Sequence, residues 1–80
     1  MDFIDVGFGN YVARSRIVAV ASPDSLPVRR LVQDAKPVNR VIDVSCGKKT
    51  KSVILTDSEH VILSALDTFE ISGSLNGGAA

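Results

Sequence analysis

Three ammonium groups fall within four residues, Lys48, Lys49 and Lys51, just after Cys46 and Gly47 and between two β-branched runs, Val41-Ile42-Asp43-Val44 and Ser52-Val53-Ile54-Leu55. Lysines set this densely have little to offer a core and present the point charges that phosphate oxygens attract. The flanking runs read as strands and the glycine-bearing segment between them as a hairpin turn, which puts the lysines on a protruding tip. A hairpin end kept soluble by charge has the same sequence signature.

Other candidate chemistry dissolves on inspection. Gly47-Lys48-Lys49-Thr50 echoes a phosphate-binding loop, but that pattern needs glycine at position 42 and Ser or Thr at position 49, where Ile42 and Lys49 stand. Gly7-Phe8-Gly9 begins like a dinucleotide fingerprint, yet the third glycine would fall on Val12 and no helical pattern follows. Those glycines fit a tight loop from which Phe8 reaches into a core or a neighbouring subunit. Cys46 and His60 could be paired as nucleophile and base, but no third group orients the histidine and little chain remains to build a pocket. Asp57-Ser58-Glu59-His60 has the residues of a chain reversal before those of a metal site. The expectation is a protein with no catalytic residue, cofactor, metal or small-molecule substrate.

At 80 residues with 45% apolar composition, the chain suits one small domain with a modest core. A lone monomer of this size is marginal without a staple. Cys46 is the one cysteine, which excludes an intrachain disulfide and points to a reducing compartment. With no signal-like run and no membrane-length apolar stretch, the expected location is the cytoplasm. Net charge is zero but uneven: residues 1–28 sum to −1, seven cations and two carboxylates leave +5 between residues 29 and 51, and Asp57, Glu59, Asp67 and Glu70 make the stretch beyond them −4. A polarised molecule of this kind is compatible with a nucleic-acid partner.

Along the chain, Phe3-Ile4-Asp5-Val6 reads as a strand and Tyr11 to Ala21 as a second, with Arg14 and Arg16 two apart on one face. Ser22 or Ser25 caps a helix with Pro27 in its first turn; Val28, Leu31, Val32 and Ala35 form its apolar stripe, and Pro37 ends it at Lys36. Arg40 to Cys46, Lys51 to Thr56 and His60 to Leu66 read as an antiparallel meander. From Asp67 onward one or two helical turns are expected, and the domain is bounded at 1–75 with 76–80 as a disordered tail. The fold class is α+β, a small antiparallel sheet with one main amphipathic helix. One helix leaves apolar sheet surface uncovered, which predicts a homo-oligomer. Nucleic-acid binding is the leading function, and an oligomeric structural or adaptor protein is the alternative.

The ordered set Ile4-Asp5-Val6-Gly7-Phe8-Gly9-Asn10, Arg16, Ser22-Pro23-Asp24-Ser25, Pro27, Arg30, Gln33-Asp34-Ala35, Ile42-Asp43, Gly47-Lys48-Lys49-Thr50-Lys51 and Asp57-Ser58-Glu59-His60-Val61-Ile62-Leu63-Ser64-Ala65 resembles the RemA family of small bacterial regulators. The resemblance implies a regulator of extracellular-matrix and biofilm genes that binds double-stranded DNA, built as a ring-shaped homo-octamer of LytTR-like protomers. It places DNA contacts on Arg16, Lys48 and Lys49, with Lys51 a further basic position of the motif. The family pattern Tyr-Gly-Arg-Arg-Thr-Arg is here Cys46-Gly47-Lys48-Lys49-Thr50-Lys51. Lysine lacks arginine's forked two-bond contact, so the change implies a more purely electrostatic grip. Pro37-Val38-Asn39 in place of a charged, glycine-bearing turn and the acidic tail also depart from the pattern.

Overall fold

A computed structural model describes residues 2–77 as two sheets and two ten-residue helices. β1 (Phe3–Gly7) and β2 (Asn10–Ala13) form a hairpin closed by Phe8 and Gly9, whose φ values of 54° and 78° are the left-handed pair that a two-residue turn requires. The Asp5 carboxylate accepts from the Gly7 N–H at 2.8 Å, and the Asn10 amide donates to the Gly7 carbonyl at 3.0 Å.

The strand expected from Tyr11 to Ala21 is broken by a 3-10 turn at Arg14–Arg16, after which β3 (Ile17–Ala21) begins. The cause is a change of layer. The Arg14 N–H bonds the Asp2 carbonyl at the end of the hairpin, whereas the Arg16 carbonyl accepts from the Asp57 N–H beside the second sheet. Arg14 and Arg16 therefore do not share a strand face. Arg14 is half-buried, with one guanidinium nitrogen 3.7 Å from Asp2 and another 3.4 Å from the Ser74 carbonyl.

The second sheet comprises β3, β4 (Val41–Asp43), β5 (Ser52–Thr56) and β6 (Val61–Ser64) in the order β3-β5-β6-β4. β5 runs antiparallel to β3 and β6, but β4 lies parallel to β6 and does not pair with β5. The expected meander is thus a mixed sheet. Burial explains the order: Val61 and Ile62 are buried on opposite faces of β6, which suits an interior strand, while Ile42 and Asp43 of β4 are exposed and suit an edge.

α1 (Leu26–Ala35) joins the two edge strands β3 and β4, so it crosses one face of the sheet. Ser25 occupies its N-cap position and Pro27 its first turn, and Lys36 ends it as expected, with the Arg40 N–H returning to the Ala35 carbonyl at 2.9 Å. Val28 and Ala35 pack there on Val53 and Val61, although Leu31 of the expected stripe is exposed. On the other face Ile54 and Ile62 meet Ile4 and Val6 of the hairpin and Ile71 of α2 (Thr68–Gly77).

Both faces of the sheet are therefore covered, and the uncovered face expected from a single helix is absent. α2 exceeds the one or two turns expected. Its start is a reciprocal cap: the Glu70 N–H donates to the Asp67 carboxylate at 2.8 Å and the Asp67 N–H to the Glu70 carboxylate at 3.5 Å. The tail expected at 76–80 lies, from residue 78 on, outside the described residues. No helix among the described residues is long and apolar enough to cross a membrane.

Candidate nucleic-acid interface

Because β4 is separated from β5 by β6, the segment from Val44 to Lys51 is no hairpin turn but a strap across the end of β6. It is pinned at both ends, by the Val44 N–H to the Leu63 carbonyl at 2.9 Å and the Lys51 N–H to the Ser64 carbonyl at 2.8 Å. Between the pins the chain turns at Cys46 and Gly47, with φ values of 55° and 79°, and the Lys48 N–H closes on the Ser45 carbonyl at 3.1 Å. The Asp43 carboxylate braces this turn by accepting from the Ser45 hydroxyl at 2.6 Å and the Ser45 N–H at 2.9 Å. Those two bonds, the hydroxyl first, hold its carboxyl below the usual aspartate range. Lys48, Lys49 and Lys51 are left exposed on the strap.

The other expected contact lies elsewhere. Arg16 sits beside the end of β5, with its Nε 3.3 Å from the Asp57 carboxylate, while the strap leads into the start of that strand. Five residues of β5 put about 17 Å between them. One protomer brings Lys48, Lys49 and Lys51 together and holds Arg16 at the opposite end of the sheet. Cys46 and His60 are divided in the same way: Cys46 is on the strap, whereas the His60 Nδ1 lies 2.8 Å from the Ser58 hydroxyl in the β5–β6 turn. The two do not meet. Among the described residues no three of His, Cys, Asp and Glu gather in a metal-binding group.

The ion pairs sort the cations by task. Arg14 pairs with Asp2, Arg16 with Asp57, and Arg40 with Glu59 and the Ser58 carbonyl, tying β4 to the β5–β6 turn. Arg29, Arg30, Lys36, Lys48, Lys49 and Lys51 have no carboxylate partner among the described residues. All six lie on α1, its C-terminal cap or the strap. Arg29 and Lys36 line an open cleft with Thr50 at the end of the strap, a juxtaposition that sequence reasoning missed. Its signal was present, since Arg29, Gln33 and Lys36 are spaced i, i+4 and i+7.

The sequence profile of a family described as extracellular matrix regulatory protein A-like matches residues 3–75. The chain is 49% identical over 78 residues to a Dictyoglomus turgidum protein named in general terms as a regulatory protein, covering 98% of this chain and 92% of that one. A similarly named protein of Synechococcus elongatus is 49% identical over 72 residues, 90% of this chain and 83% of the relative. One of Nitratidesulfovibrio vulgaris is 55% identical over 65 residues, 81% and 76% of the two chains.

Proposed function

Since the chain belongs to the RemA-like family, we propose that it is a cytoplasmic DNA-binding regulator, not an enzyme, that controls extracellular-matrix genes through the lysine strap repeated around a homo-oligomer. The observation that carries this reading is the strap, where three cations with no carboxylate partner stand on a turn braced by Asp43 and pinned at both ends. Lysines held on a fixed backbone meet phosphates without first ordering the loop, so less affinity is lost to entropy. With lysine where the family has arginine, phosphate contact outweighs base reading.

Assembly is part of the proposal, as a closed ring of eight LytTR-like protomers. Its support is a pair of apolar surfaces on opposite sides of the protomer. The hairpin side exposes Phe3, Tyr11 and the turn residue Phe8, and the α1 side has an open groove lined by Val18, Leu31, Val38 and Leu55. Val18 faces outward because it is the extra residue where the β3–β5 register shifts between Ile17 and Ala19. A knob on one side and a groove on the other suit head-to-tail contact, which closes into a ring when the rotation allows. Repetition then turns feeble contacts into useful affinity, and brings one protomer's Arg16 toward a neighbour's strap.

The test is anisotropy of a labelled duplex titrated with protein at several salt concentrations. Replacing Lys48 and Lys49 by alanine is expected to weaken binding to specific and scrambled duplexes alike and to flatten the log-affinity against log-salt slope by about 0.9 for each phosphate left unneutralised. Equal binding by parent and variant at matched salt would make the strap a solvated turn and favour the adaptor reading.

A further inference from the structure

Resting on the DNA-binding reading above, we infer that the cleft between α1 and the strap is a second phosphodiester-binding surface, in which Arg29 and Lys36 hold backbone phosphate and Gln33 and Thr50 bond the adjoining sugar-phosphate. The cleft has a floor of Val53 and Leu63 from the sheet, one wall made by Arg29, Gln33 and Lys36, and Thr50 opposite. No carboxylate lines it, and neither cation has an ion-pair partner among the described residues.

α1 divides its charges by side. Asp34 is turned to the other groove, which it shares with Arg40, Glu59 and His60, so that groove is electrically mixed, while the cleft on the strap side is lined by cations and no carboxylate, Asp43 beside the strap being engaged by Ser45. Two uncompensated charges beside three more on the strap repel one another, an arrangement relieved by a polyanion. The polyanion is the duplex already engaged by the strap. At about 260 Å³ and open to solvent, the cleft falls below the roughly 300–1,000 Å³ of sites that enclose a small molecule, whereas an open trough fits a continuous backbone. Val53 is fully buried, so the apolar surface left to meet a deoxyribose face is that of the half-buried Leu63 and Val32, with the Gln33 amide and Thr50 hydroxyl offering bonds at the rim.

The experiment extends the salt titration to four full-length proteins: the parent, K48A/K49A, R29A/K36A and R30A. Arg30 is the control because it lines a separate hollow with Leu26, Pro27 and Leu31, so its removal subtracts charge from the same helix without touching the cleft. R29A/K36A is expected to flatten the salt slope by about 0.9 for each phosphate left unneutralised, with R30A near the parent. Gln33→Glu, which places a carboxylate on the cleft wall, should weaken duplex binding at least tenfold. Circular dichroism and light scattering matching the parent exclude misfolding for these exposed positions.

If the parent and K48A/K49A behave as the strap reading requires but R29A/K36A, which removes two charges, flattens the slope by no more than twice the change in R30A, which removes one, only net charge matters and the cleft is no site. A parent that binds no duplex overturns the DNA reading itself. Inorganic phosphate or a mononucleotide that perturbs Arg29 and Lys36 resonances while their removal leaves duplex binding unchanged would assign the cleft to a small anion and overturn its role in DNA binding.

Discussion

Asp43 shows how one side chain prepares a loop. It ends the edge strand β4, yet its carboxylate serves the strap, receiving two hydrogen bonds from Ser45. Bonds to the charged form hold its pKa below the usual range, so the sign of the pH dependence follows. The stabilisation is present in full above the unfolded-state pKa and fades as pH falls through the lower native one. Ser45→Ala should raise the Asp43 midpoint toward the ordinary aspartate value, and a carboxyl-carbon NMR titration of both proteins measures it. Identical midpoints would mean that the Ser45 hydroxyl does not brace the turn in solution.

Among elements, the junction between hairpin and sheet is made by a buried serine. The Ser64 hydroxyl donates to the Val6 carbonyl at 2.7 Å and accepts from the Leu66 N–H at 3.1 Å, so it ties β6 to β1 and to the chain entering α2. Its cross-strand neighbour Ser52 is equally buried, but its hydroxyl has no partner among the described residues. Ser64→Ala should therefore cost about 1–3 kcal/mol, because it strands two backbone groups, whereas Ser52→Ala should cost nothing or stabilise. Urea unfolding at matched protein concentration compares them. A larger loss from Ser52→Ala than from Ser64→Ala would show that the Ser52 hydroxyl has a partner in solution.

For the molecule as a whole, the exposure of its aromatics is the telling feature. Phe3, Phe8, Tyr11 and Phe69, all four in the chain, lie outside an aliphatic core. Phe8 is held at a φ of 54°, which disfavours a bulky L-residue by about 1–2 kcal/mol. Asparagine suits that turn position better, so Phe8→Asn should leave the hairpin at least as stable while removing the knob. Light scattering at micromolar concentration is expected to show a multimer for the parent and a shift toward the protomer mass of 8.5 kDa for the variant. An unchanged mass would place the interface elsewhere, and a parent at the protomer mass would sink the ring.

What could be read from local order alone was considerable, because turn chemistry and periodicity act over a few residues. Gly7 to Asn10 marked the first turn, Pro27 and Pro37 bounded α1, the lysine cluster marked an exposed segment, and the ordered motifs led to the family. α2 was also written locally, in the Asp67-Thr68-Phe69-Glu70 cap, but glycine and serine in its body obscured the pattern. Strand neighbours were decided only in the folded state. Val41–Asp43 and Ser52–Thr56 look like hairpin partners, yet β6 inserts between them because its apolar residues on both faces are buried most completely in the interior of the sheet. That exchange made the hairpin a strap, set Arg16 and the lysines at opposite ends of β5, and brought Thr50 to the same cleft as Arg29 and Lys36. Distances between segments remote in the chain depend on which surfaces must share the core, a competition that no local window contains.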